Sequence, residues 1–414
     1  TAGHAAGLVV AMSALATANS DSQNVPQRLK LTALPPLSLY VHLPWCVRKC
    51  PYCDFNSHQL RTELPADDYI DALLADLDQQ LPLVWGRVVQ SVFFGGGTPS
   101  LFHGDQIARL LAGVRARLTL APQAEITLEA NPGTIEHDHF AAYREAGVNR
   151  ISLGVQSFDD AALQRLGRIH GAAEAKRAIE RLQQAGFDNF NIDLMYGLPQ
   201  QSVAAALADI EQALAFGPTH VSHYQLTLEP NTLFAHRPPK LPDEDAIADM
   251  LEACAGAMQA AGLQQYEVSA WSQPQRACRH NVNYWQFGDY LALGAGAHGK
   301  LTLPAEQAIV RYVRQPSPKR YLQARHNGDW DQSRSYPDAS TLVFEFFLNA
   351  LRLRSGVNLW LFRQRTGLDV ALLEQPLATA AQRGLLQRDG DALHITELGW
   401  RFLNDLQAIF LPAK

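Results

Sequence analysis

Over its first two-thirds, this 414-residue chain alternates short apolar runs with longer amphipathic stretches, an order that few folds accept. The apolar runs at 37–43, 89–94, 125–130, 150–154, 189–195 and 220–226 read as strands. Between them, Tyr69, Ile70, Leu73, Leu74 and Leu77 recur at helical spacing behind Asp67 and Asp68. Ile107, Leu110, Leu111, Val114 and Leu118 do the same behind Asp105, while Ile179 and Leu182 lead to Gly186, and Leu207, Ile210 and Leu214 to Gly217. Nearly continuous apolar strands interleaved with helices imply an α/β fold with a parallel sheet under a helical layer. Six units suit a partial (β/α)6 barrel; a doubly wound sheet is the other arrangement the pattern permits. Both gather their ligands at the strand C-termini. The six strand exits, HLPWC, GGGTPS, EANPGT, GVQSFD, YGLPQQ and TLEPNT, are accordingly rich in Gly, Pro and polar side chains.

From about residue 338 the pattern changes. Helical segments at 341–353, 359–366 and 371–383 precede GLLQRDGDALHIT, where Asp389-Gly390 is a turn signal between short strands. Three helices and a hairpin make a mostly helical, winged-helix-like module. Nine Lys/Arg against nine Asp/Glu over 331–414 point to a protein contact or lid rather than DNA. The expected division is a leader at 1–34, the barrel at 35–270, a connecting segment at 271–335 and the C-terminal module at 336–414. The leader is rich in Ala, Ser, Thr and Asn, and its apolar stretch at 5–16 has no Lys or Arg before it, so it reads as disordered rather than as a signal peptide. A net charge of −6 argues against a nucleic-acid partner. No apolar run reaches the ~20 residues of a membrane-spanning helix.

Three of the five cysteines, Cys46, Cys50 and Cys53, fall within one loop after the first strand; Cys254 and Cys278 lie far away. A secreted disulfide framework spreads its cysteines, so the clustering points to one metal site in a reducing, cytoplasmic setting. Thiolates suit iron–sulfur clusters and zinc alike. Structural zinc normally takes four ligands, often as two separated CxxC pairs. Three thiolates on one loop instead suit a cubane, with one iron left for an exogenous amine and carboxylate.

CxxxCxxC after the first strand of a βα array resembles the signature of the radical SAM superfamily, whose core is a partial barrel. The likeness runs from about Leu37 to the C-terminus and is nearest the branch that holds coproporphyrinogen III dehydrogenases and their heme-chaperone paralogues. The resemblance implies a [4Fe–4S] cluster on Cys46, Cys50 and Cys53 that binds S-adenosylmethionine (SAM). It implies that Tyr40 and Tyr52 line the SAM pocket and that Gly95-Gly96-Gly97-Thr98-Pro99 receives the methionine amine. Glu129, Gln156, Arg168 and Asp193 match further SAM positions. The side chains agree: glycines allow close approach, carboxylates and an amide suit ribose hydroxyls, and Arg suits a carboxylate.

Within the branch, the dehydrogenases carry a fourth cysteine where this chain has Phe55. His280-Asn281-Val282-Asn283-Tyr284-Trp285 matches the HNxxYW motif that the chaperones use for heme, which implicates His280, Asn281, Tyr284 and Trp285. Imidazole ligates iron, and Tyr and Trp offer flat faces to a porphyrin. The resemblance therefore implies a heme carrier, with acceptor hemoproteins as partners, membrane-associated respiratory enzymes among the candidates. The competing expectation is SAM-radical oxidative decarboxylation of coproporphyrinogen III. Two strings carry less. Gly294-x-Gly296-x-x-Gly299 lacks the following helix of a dinucleotide site, and Leu301 stands where a Walker loop needs Ser or Thr. Cys254 sits on an apolar helical stripe and reads as core.

Overall fold

A computed structural model describes residues 29–134 and 139–412. Six parallel strands form its centre: β1 (Leu37–Leu43), β2 (Val88–Gly96), β3 (Thr119–Ala130), β4 (Arg150–Gln156), β5 (Phe190–Tyr196) and β6 (His220–Gln225), each hydrogen-bonded to the next. The helices α1 (Ala66–Val84), α2 (Gly104–Arg115), α3 (His139–Ala146), α4 (Ala172–Gln184) and α5 (Val203–Ala215) fill the crossovers. This is the partial barrel rather than the doubly wound sheet, because neighbours in sequence are neighbours in space throughout.

The strands are less uniformly apolar than the nearly continuous runs of the expected parallel sheet. In LSLYVHL, Leu37, Leu39, Val41 and Leu43 pack into the apolar core, while Ser38, Tyr40 and His42 alternate with them. Ser38 bonds Ser91 across to β2, and Asn191 bonds Ser152 and His220 on its two neighbours. The other face is therefore a polar lumen. A strand buried on both faces reads as continuous apolar only when both faces meet helices; here one of them meets the barrel interior.

The sheet has twelve strands among the described residues and continues past both ends of the parallel set. Beyond β6, after α6 (Glu244–Ala260), come β7 (Gln264–Glu267) and β8 (Ala270–Ser272); β8 lies next to β6 and runs antiparallel to it, and β7 lies outside β8 and antiparallel to it. The segment expected as a connector is largely sheet: after α7 (Arg279–Trp285), β9 (Asp289–Leu293) pairs parallel to β1, and β10 (His298–Leu303), β11 (Ala308–Arg314) and β12 (Asp331–Ser335) follow antiparallel.

The C-terminal module has its own core. α8 (Ala339–Ala350), capped by Asp338, leads to β13 (Val357–Asn358), α9 (Leu359–Thr366) and α10 (Glu374–Gln382). β14 (Leu386–Asp389) and β15 (Ala392–Ile395) are joined by a turn of Gly390 and Asp391, with Gly390 at φ +58°; the turn falls one residue later than the expected Asp389-Gly390, because Asp389 pairs with Ala392. β13 pairs with β15, completing the winged-helix-like order. Phe346, Phe347, Phe362 and Phe410 pack together at its centre, with Leu31 and Phe287 in the same cluster. Leu31 is buried and its N–H donates to Gln307 Oε1 at 2.9 Å, so the last residues of the expected leader are tied down. The leader's residues 1–28 lie outside the described residues. Arg352 of the module pairs with the buried Glu267 of β7 at 3.1 Å. Among the described residues, no helix is long and apolar enough to cross a membrane.

Candidate cluster and cofactor site

The loop that follows β1 carries the three cysteines. Cys53 N–H donates to Cys50 O, and Leu60 N–H to Cys46 O, which closes the loop on itself. Its far end is clamped from a distant part of the chain. The Asn56 amide donates to the carbonyls of Ala295, at 2.8 Å, and Pro316, at 2.9 Å. A Cβ on Gly296, where φ is +78°, would lie 2.3 Å from Asn56 Nδ2. The string Gly294-x-Gly296 is therefore a seat for the cysteine loop, consistent with its rejection as a dinucleotide site.

One pocket at the barrel mouth is lined by Cys46, Cys50 and Cys53 together with Tyr52, Gly96, Gly97, Thr98, Glu129, Gln156, Arg168 and Asp193. All three expected cluster ligands and nine of the eleven expected SAM residues, Pro99 included, thus converge. Phe55 lines the same pocket. The glycines are needed: a Cβ on Gly97 would stand 2.5 Å from Trp45 O, and Gly96 holds φ +115° against the His42 ring. Gly96 N–H donates to Glu129 Oε2 at 3.2 Å. Gln156, at the end of β4, holds φ +73° and accepts from the Tyr224 hydroxyl at 2.6 Å. Backbone held in that region is costly for a non-glycine residue and persists where packing over-determines it.

Gly95 and Tyr40 are not among the pocket's walls; Tyr40 lies deeper in the lumen, its hydroxyl bonded to His42 Nδ1. Asn131, Ser152, Met195, Tyr224, Thr227 and Glu229 line the pocket without having been singled out from sequence. Four of these, Asn131, Thr227, Glu229 and Met195, fall in the strand-exit strings or beside them, so the exits held the signal.

The electrostatics suit a cationic guest. Burial pushes the Cys53 thiol up to about 11 and raises Cys46 as well. Buried thiols give up their protons readily only when a nearby positive charge compensates, which bound iron supplies. Each sulfur already faces a donor group: Thr98 Oγ1 donates to Cys46 Sγ at 3.4 Å, and Arg168 Nη1 to Cys50 Sγ at 3.6 Å. Ser57 Oγ lies 3.6 Å from Cys53 Sγ. Arg168 Nε is buried with no partner among the described residues. Glu129 is pushed up to about 7 by burial first and by the Asp193 charge second. Asp193 accepts from Asn191 Nδ2 at 2.8 Å and from Ser152 Oγ at 3.3 Å. Among the described residues no three His, Cys, Asp or Glu side chains form a group able to hold a metal ion. A lone zinc asks its ligands to converge on one point, about 2.3 Å from each sulfur. A cubane places each thiolate on a different iron, so its ligands stand further apart.

The four heme-motif residues are not brought around this pocket. α7 lies across the lumen floor: its first N–H, on Arg279, donates to Glu125 Oε1 at 2.9 Å, and Asn283 Nδ2 donates to Ser38 Oγ at 3.0 Å. His280 points into the lumen, stacked on Phe93 with ring centroids 4.9 Å apart and tilted over Tyr40 at 6.0 Å. Burial lowers its pKa to about 4, so the imidazole is neutral, and Nδ1 has no partner among the described residues. Tyr284 packs on Tyr290, Asn281 is half-buried, and the Arg352 guanidinium covers the Trp285 ring at 4.4 Å. Cys278 is buried beside Glu125, and Cys254 sits in the apolar core as expected.

A six-stranded partial barrel with a three-cysteine loop at its first strand exit defines a radical SAM core, and the model of the radical SAM superfamily matches residues 40–213. That of the HemN C-terminal domain matches residues 338–402, the helical module. The chain is 51% identical over 381 residues to the heme chaperone HemW of Escherichia coli (strain K12), covering 92% of this chain and 100% of that one. It is 48% identical over 385 residues to the heme chaperone HemW of Haemophilus influenzae, covering 92% and 99%. The chain belongs to the HemW family. A solved structure of coproporphyrinogen III oxidase (HemN) from Escherichia coli, a radical SAM enzyme, superposes with a TM-score of 0.77 over 96% of this chain and 98% of that one. At 23% identity that likeness speaks for the fold alone.

Proposed function

We propose that this protein is a heme carrier that binds a [4Fe–4S] cluster on Cys46, Cys50 and Cys53, SAM in the mouth pocket, and heme through the motif around His280. It passes heme to acceptor hemoproteins in the cytoplasm or at the membrane face. The observation that carries the reading is 51% identity along the whole length of a relative named a heme chaperone. Phe55, where the dehydrogenase branch has a fourth cysteine, supports the carrier over the oxidase. Bound, the cluster would supply one-electron chemistry toward SAM. The chain's part is to orient SAM with Glu129, Gln156, Arg168 and Asp193 and to exclude water from the lumen. On this reading α7 shifts when heme binds, since Phe93 and Tyr40 cover the His280 ring.

The test is anaerobic reconstitution with iron and sulfide, followed by heme titration and by incubation with coproporphyrinogen III and SAM. Stoichiometric heme binding without conversion of the porphyrinogen is the expected result. Catalytic formation of protoporphyrinogen would replace the carrier with the oxidase.

A further inference from the structure

We propose that Thr98, Ser57 and Arg168 give each of the three cluster thiolates one hydrogen-bond donor and thereby set the potential at which the cluster is reduced. The inference rests on the cluster reading of Cys46, Cys50 and Cys53. The three donors come from three parts of the chain: Thr98 follows β2, Ser57 ends the cysteine loop, and Arg168 stands beyond β4. They nevertheless meet three different sulfurs, Cys46 at 3.4 Å, Cys53 at 3.6 Å and Cys50 at 3.6 Å. The match is not exclusive, since Ser57 also reaches Cys46 and the Tyr52 side chain also reaches Cys50, but no sulfur is left without a donor.

Each donor is held in place by other bonds. Arg168 Nη2 donates to Gly154 O at 2.7 Å, which fixes the guanidinium plane. Ser57 N–H donates to Phe55 O, and Lys49 Nζ donates to Ser57 O at 3.3 Å. Thr98 N–H donates to Trp45 O at 2.7 Å, one residue before the cysteine that its hydroxyl addresses. Ser57 and Thr98 are 5% and 6% exposed, so water competes little for their hydroxyls. In the free Cys53–Ser57 pair either atom can donate. A thiolate on iron has no proton, so there the hydroxyl donates.

Reduction adds one electron from an external one-electron donor and places more negative charge on the iron and sulfur atoms. A hydrogen bond to sulfur is stronger to the more negative state, so each donor stabilises the reduced cluster more than the oxidised one and raises the potential. Arg168 adds a full positive charge to the same effect.

The experiment is a dithionite titration of the reconstituted full chain at controlled potential, read from the EPR signal of the reduced cluster. Ser57→Ala should keep its iron and show a reduced-to-oxidised ratio about threefold to tenfold lower at a fixed potential, where tenfold corresponds to about 59 mV for one electron. Ser57→Thr, which keeps the hydroxyl, should return toward the parent. An unchanged midpoint in a fully loaded Ser57→Ala protein overturns the proposal. Should that variant fail to take up iron, Thr98→Val provides the second arm, with the same fall expected and the same unchanged midpoint fatal. A parent protein that takes up no cluster yields no reduced signal at all and overturns the cluster reading itself, a result distinct from a signal that is present and unshifted.

Discussion

The two ends of the barrel lumen draw on the same six strands but are finished by different means. At the mouth, the loops just beyond the strands supply the walls, and the polar groups face one another across an open pocket. At the floor, strand side chains pair among themselves and with a helix from far along the chain. Asn191 links Asp193 to His220, whose Nε2 meets the Tyr266 hydroxyl at 2.9 Å, while Glu125 holds the start of α7. Thr127 Oγ1, Arg150 Nε and His280 Nδ1 remain buried there without partners among the described residues. The mouth is an open site whose walls are loops just beyond the strands, held by long-range contacts such as Asn56 to Ala295. The floor is a closed seal made by strand side chains and α7, and the heme-motif histidine is part of that seal.

The comparison can be broken most sharply at the cysteines. Cys53→Ala should abolish stable iron uptake, measured as iron per chain after reconstitution, while heme titration stays near the parent value. Loss of both would mean that mouth and floor are one site. Next in size is the anchor that holds the C-terminal module to β7. Arg352→Ala leaves the Glu267 carboxylate buried without its cation and uncovers Trp285, and stability in urea should fall by about 3 kcal/mol. An equal loss in Glu267→Gln would trace the effect to the pair rather than to packing.

His280→Ala should weaken heme binding by about tenfold, on the order of 1.4 kcal/mol, with iron content unchanged. If heme affinity is unaltered, the floor is structural only. The smallest effect concerns pH. Glu129 is held near 7 in the folded protein against 4.5 for the free side chain, so the unfolded chain loses this proton first. Its contribution is present below about pH 4.5 and is lost as pH rises through about 7. Glu129→Gln should flatten stability across that window in denaturant midpoints measured at stepped pH; an unchanged slope would show that the carboxyl is already ionised.

The cysteine loop, the strand exits and the helix–helix–helix–wing order of the C-terminal module were legible in sequence, because each is a short-range pattern of residue types. Alternation within the strands is present in the sequence too, as LSLYVHL shows, but composition alone does not tell a polar lumen from a second helix-covered face. Tyr40, which the resemblance places at the SAM pocket, shows the consequence: the pleat puts its ring on the lumen face, bonded to His42 and near His280.

The sequence by itself determined the local chemistry of this protein: three thiols on one turn, glycines where a backbone must approach closely, and a histidine ahead of two aromatic residues. Tertiary structure decided which of these meet. That β9 adds beside β1, that Gly296 seats Asn56, and that Thr98 and Arg168 each find a different sulfur all depend on contacts between residues tens to hundreds of positions apart. Such contacts leave no periodic trace in the chain, because loop closure constrains the distance between two segments and not the residues that lie between them.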